Sequence, residues 1–166
     1  MYYRMGDMKK TLLVLAAFFF AITASAQSAD VITEILETEE VTFGQISYIV
    51  AVQMDLVGEK DSLEIAIEKL YEKGIIPAQE DPDAAIPAVD VAFIYSKLWK
   101  IKGGLMYRIT KGSPRYAFKQ FKSDGVINQD LDPGASLSGA EALSMYTACV
   151  NTYSDFDMKN VSMEDE

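Results

Sequence analysis

Histidine is missing from this chain of 166 residues. That removes the commonest general base and the commonest transition-metal ligand, and it argues against hydrolases and zinc sites. Cysteine is nearly missing: Cys149 stands alone, so no intramolecular disulfide can form. It lies among Leu143, Tyr146 and Val150 at helical spacing, which predicts a buried, inert thiol. No glycine-rich phosphate loop, nucleophile elbow or cluster of metal-binding residues occurs either. Asp90 and Glu141 are the nearest thing to a catalytic carboxylate pair. They occupy equivalent places in an internal repeat, and helix capping explains both more simply. The expectation is a non-catalytic protein without a cofactor.

Long apolar runs are also scarce. The one at Leu12–Ala24 covers about 13 residues, short of the roughly 20 needed to span a bilayer. Arg4, Lys9 and Lys10 precede it, and Ala24-Ser25-Ala26 follows with the small-x-small pattern of a cleavage site. Residues 1–26 therefore read as a cleaved secretory signal peptide, with no membrane span after cleavage. The expected destination is the periplasm or cell envelope. No cysteine stands at the cleavage region, which argues against a lipid-anchored lipoprotein.

What the chain does have is a gapless repeat. Residues 62–100 and 113–151 align at a constant offset of 51. Gly74 falls on Gly125, Ile76 on Ile127, Asp81-Pro82 on Asp132-Pro133 and Tyr95 on Tyr146. Such a repeat is one supersecondary unit used twice, each copy too small to bury its own apolar face. Apolar residues at helical spacing predict a short helix over 30–40 and a second from the Thr42–Gln45 capping box to Val57. In the first copy a helix follows Asp61 or Ser62, with Glu64 set for another capping box, and stops at Gly74. A second runs from Pro87 to about Ile101. The second copy repeats this with a helix from Pro114 to Asp124 and a last one over 138–153. The fold class expected is all-α: a small bundle of five to six helices, two tandem helix-loop-helix repeats plus an N-terminal helical pair. Its domain spans 27–154, with 155–166 as an acidic flexible tail.

The strings Gly74-Ile75-Ile76 with Asp81-Pro82, and Gly125-Val126-Ile127 with Asp132-Pro133, followed by Ser138-Gly139-Ala140-Glu141, carry a family likeness. Over about residues 42–151 the pattern resembles the S-layer homology repeat: a helix, a Gly-Ile/Val-Ile turn, an Asp-Pro loop, and a Ser/Thr-Arg-Ala-Glu helix start. Gly139 stands where that family has its polymer-contacting arginine, and the first copy reads Pro87-Ala88-Val89-Asp90. The family's aromatic-Asp opening is absent. The resemblance therefore implies a similar helical scaffold, but not polymer binding through the family's own residues.

The same loop has the oxygen spacing of a calcium site. Asp130, Asp132, Gly134, Ser136, Ser138 and Glu141 fall at positions 1, 3, 5, 7, 9 and 12 of an EF-hand-like loop. Ala135 stands where the sharp turn needs glycine, and Pro133 restricts the path. The competing reading is an Asp-Pro-Gly turn with a Ser138–Glu141 cap, and no metal is expected.

Charge is the most specific signal. The whole chain carries a net −10. Yet Val91–Ser123 holds eight basic residues and no acid: Lys97, Lys100, Lys102, Arg108, Lys111, Arg115, Lys119 and Lys122. Trp99, Tyr107, Tyr116, Phe118 and Phe121 are interleaved with them. Asymmetry on this scale points to an interaction surface. Phe118 and Phe121 match core positions of the first copy and are expected to be buried. Lys102–Gly112, an insert with paired glycines, has no counterpart ahead of the first copy. The candidate partner-binding residues are Trp99, Lys100, Lys102, Tyr107, Arg108, Lys111, Arg115 and Tyr116. Nucleic acid is excluded by export and by an otherwise acidic surface. An anionic envelope polymer, lipid headgroups in peripheral contact, or an acidic protein face is the expected partner. The alternatives are a structural subunit docking through apolar helix faces, and a calcium-binding module.

Overall fold

Three loops in this protein are each fastened to the start of a helix elsewhere in the chain, and the three fastenings close a ring. The computed structural model describes residues 31–58 and 60–161. Residues 1–26, read from the sequence as a signal peptide, and 162–166, the end of the segment read as a tail, lie outside them. Among the described residues there are seven helices and no strand longer than an isolated bridge. They are α1 (31–37), α2 (Phe43–Gln53), α3 (Leu63–Glu72), α4 (Ala88–Leu98), α5 (Leu105–Ile109), α6 (Pro114–Ser123) and α7 (Gly139–Val161). The all-α bundle expected from the sequence is the observed architecture. The helix beyond the expected five to six is α5, inside the insert. Ile35–Glu166 forms one compact unit, which contains α2 to α7.

The two repeat copies superpose in register. α3 and α6 occupy positions 51 apart, as do the starts of α4 and α7. Both α3 and α6 end in a glycine with positive φ, Gly74 at 67° and Gly125 at 74°. At each, the next amide turns back: Ile75 N–H donates to Leu70 O and Val126 N–H to Phe121 O, both at 2.9 Å. Only glycine takes this left-handed conformation without cost. The closure swings Ile76, Val126 and Ile127 into the core.

A third copy of the second helix is present and was not foreseen. α2 and α4 are each eleven residues long with bounds 45 apart, although Ile49 and Ile94 are the one identical pair between them. Both end identically, at Asp55 (φ 54°) and Lys100 (φ 46°), with Leu56 N–H donating to Ala51 O and Ile101 N–H to Ser96 O. The ring follows from this equivalence. Phe43 and Gly44 at the start of α2 donate to Ala84 and Pro82 of the first loop. Ala88 and Val89 at the start of α4 donate to Ala135 and Pro133, the equivalent carbonyls of the second loop. Gly139 at the start of α7 donates to Thr38 O, behind α1, at 2.9 Å. The orphan N–H groups that every helix start exposes are thus satisfied by a neighbouring unit. Val41, Ile86 and Leu137 lie where the three extended segments meet; all are buried, and Val41 bonds to both of the others.

Several element ends differ from expectation. α1 stops at 37 rather than 40, α2 at Gln53 rather than Val57, and α4 at Leu98 rather than Ile101, the last two because Asp55 and Lys100 turn left-handed. Pro87 caps α4 from just outside it. The capping box expected with Glu64 is absent: the N-cap Ser62 accepts from no first-turn amide, although it hydrogen-bonds the Glu64 carboxyl and lowers its pKa, and Asp61 instead accepts from Gly58 N–H. α7 begins at Gly139 and continues to Val161, past the expected end at Tyr153 and into the segment read as a flexible tail. No glycine or proline follows Gly139 to stop it.

Candidate cationic binding face

α4 and α6 pack against each other, and the insert between them carries α5 back onto α6. Four positive φ angles bracket the insert: Lys100, Gly103, Lys111 and Gly112. Tyr107 holds it down. Its side chain is only 8% exposed, and its hydroxyl donates to Ser96 Oγ on α4 at 3.2 Å. Ser96 Oγ in turn donates to Phe93 O. The ring sits between two glycines. A Cβ at Gly103 would lie 2.4 Å from Tyr107 Cγ, and one at Gly112 would lie 2.7 Å from Cζ. Tyr107 is therefore a core residue that anchors the insert, not the exposed contact expected from its neighbours in sequence.

Three of the cations share a cavity with this anchor. Lys97 Nζ donates to Lys111 O at 3.1 Å and stands 4.9 Å from the centre of the Phe93 ring. Lys102, Arg108 and Lys111 line one open cavity of about 460 Å³ with Ile101 and the two glycines. On α6, Arg115, Lys119 and Lys122 recur at the four- and three-residue spacing of one helix face. Lys119 lies 5.4 Å from the Tyr116 ring and Lys122 5.1 Å from the Phe118 ring. Among the described residues, Lys97, Lys100, Arg108, Lys111, Arg115, Lys119 and Lys122 make no ion pair with a carboxylate; the pair present is Lys69–Glu72, elsewhere on α3.

The aromatics divide. Phe118 and Phe121 are buried, as their repeat positions imply. Trp99 is half-buried at the end of α4, edge-on to Tyr95 and Tyr146 at 6.0 and 5.0 Å between ring centres. It lines a broad groove of about 910 Å³ with Lys100, Lys102, Gln53, Tyr146 and Tyr153. The Tyr146 hydroxyl donates to Gln53 Oε1 and that of Tyr153 to Asp124 Oδ2. Tyr116 is half-buried beneath Lys119. The groove was not legible in the sequence, because Gln53, Trp99 and Tyr153 come from helices far apart in the chain.

The remaining motifs resolve into structure. Ser138 N–H and Oγ both donate to Glu141 Oε2 at 2.8 Å, and Glu141 N–H returns to Ser138 Oγ. These bonds hold the Glu141 carboxyl below its ordinary range. Ser136 Oγ donates to Glu40, and Asp132 Oδ1 accepts from Gly134 N–H. Among the described residues, no three acidic or thiol side chains gather as a metal site. Gly139, at the arginine position of the S-layer homology pattern, has no room for a side chain. A Cβ there would lie 1.6 Å from Ile35 O. Cys149 is free and fully buried, and burial raises its thiol pKa.

No family model, curated protein or solved structure matches the chain.

Proposed function

We propose that this is an exported, non-catalytic cell-envelope protein that holds an anionic envelope partner against the cationic face built from the 97–122 segment. One observation carries the reading: seven of the eight basic side chains make no ion pair with a carboxylate among the described residues, in a chain of net −10. Charges left unpaired on a rigid frame attract an opposite surface at long range and fix its register on arrival. Arg108 and Arg115 supply the planar forks suited to phosphate or carboxylate oxygens. The half-buried Trp99 lines a groove with Lys100 and Lys102, and Tyr116 lies against Lys119, so both add apolar edges beside cations of the segment. Asp90 and Glu141 are N3 residues of their helices, and Glu141 is engaged by its cap.

The double substitution Arg108→Glu with Arg115→Glu tests this. Both side chains are exposed, so helicity should not change, while capture of envelope polymer or partner should be lost. Undiminished capture by the double variant contradicts the proposal.

A further inference from the structure

The tip of the insert presents exposed apolar side chains. Leu105 is 73% exposed, Ile109 64% and Met106 49%. They project from α5 while Tyr107, in the same short helix, is locked into the core. The tip is therefore held rigidly outward and does not need to reorganise to make contact. Arg108 stands between Tyr107 and Ile109 on the same helix, and Lys102, Arg108 and Lys111 line the adjoining cavity of about 460 Å³.

Resting on the cationic-face reading, the geometry points to the α5 tip as a docking element for an anionic phospholipid bilayer. Leu105, Met106 and Ile109 enter the headgroup boundary, and the cavity edged by Lys102, Arg108 and Lys111 receives a phosphate-bearing headgroup. Two considerations select a lipid surface over a protein. Three side chains on one five-residue helix fall far short of the roughly 800 Å² per partner that a stable protein interface buries. An acidic protein face would satisfy the cations but leave the apolar residues against charge, whereas an anionic bilayer offers both phosphate and hydrocarbon at adjacent depths. Each cation near such a surface contributes about 1 kcal/mol, so a few cations and a few inserted side chains suffice for reversible attachment. The acidic remainder of the chain is repelled, which orients the molecule tip-down.

Vesicle co-sedimentation of the full chain tests this, with phosphatidylcholine vesicles made with and without phosphatidylglycerol. Binding should require phosphatidylglycerol. Leu105→Ser with Ile109→Ser should weaken it about tenfold or more through lost apolar burial. Arg108→Gln with Lys111→Gln should weaken it about thirtyfold through two lost charges. All four positions are exposed, so circular dichroism should be unchanged. Full binding by the serine variant, or no vesicle binding by the wild type, overturns the lipid assignment. A tip-dependent dimer in size-exclusion chromatography, abolished by the serine variant, overturns it in favour of a second copy. Retention on dextran sulfate separates the two claims. A chain that binds this polymer but no vesicle keeps the cationic face and loses the lipid; one that binds neither loses both.

Discussion

At the scale of single residues, equivalence among the three second helices shows where this copy departs from its own pattern. Ser47 of α2 is completely buried, and its hydroxyl finds no hydrogen-bond partner among the described residues. The equivalent position in α4 is Ala92, also completely buried. An unsatisfied buried hydroxyl costs about 1–3 kcal/mol. Ser47→Ala should therefore stabilise the protein by about 1 kcal/mol, read as a higher urea midpoint at unchanged slope. The N3 acids form a second set. Glu141 is held by Ser138, but Asp90 follows Pro87, which has no hydroxyl to offer. Partial burial raises the Asp90 carboxyl pKa, and nearby Glu80 raises it further. The folded protein then binds more protons here than the unfolded chain, so this group lowers stability as pH rises from the ordinary aspartate range through its folded value. Asp90→Asn should be more stable than wild type at neutral pH, and the advantage should vanish in acid below the ordinary aspartate pKa. Paired thermal melts across pH measure this; a constant difference would contradict it.

At the scale of elements, α5 depends on one side chain. Tyr107→Ala removes the ring that fills the space between Gly103 and Gly112, and should release 103–112 from α4 and α6. Hydrogen exchange should then become fast in that segment alone, while the ring of loops stays protected. Tyr107→Phe keeps the packing and loses the Ser96 bond, at a cost of about 1 kcal/mol. Much of this level was legible in the sequence. Gly74 and Gly125 marked the ends of α3 and α6, and the fixed offset gave the second copy. Three things were not. The left-handed turns at Asp55 and Lys100 carry no glycine to announce them. The kinship of α2 with α4 runs at a different offset, although Ile46 with Val91 and Ile49 with Ile94 preserve it. The burial of Tyr107 arises from glycines on either side of the insert, a contact that periodicity along a single helix does not encode.

At the scale of the whole molecule, a ring of backbone bonds ties the units together, and the charges are segregated. Because α2, α4 and α7 each begin on a loop contributed elsewhere, no repeat copy holds all of its own helix-start partners. Gly139 belongs to the same closure, since the α1 backbone at Ile35 and Leu36 occupies the space of any side chain there. The position used for polymer contact in the repeat that the sequence resembles is thus given over to packing, and the cations lie instead at the end of α4, on the insert and on α6. Sequence composition showed the segregation of charge outright. That seven of these eight cations make no ion pair with a carboxylate among the described residues needed the folded structure.

The most direct test of the cationic face is the salt dependence of partner capture from envelope extract, compared for two charge-reversed variants. One carries Arg108→Glu and Arg115→Glu; the control carries Lys60→Glu and Lys73→Glu, exposed positions outside the segment. Screening at about 1 M salt shortens the reach of exposed charges to about 3 Å. Wild type and control should capture equally at low salt and both let go at high salt, while the arginine variant captures at neither. Capture that survives high salt, or that falls equally in both variants, would contradict a partner held by these particular charges.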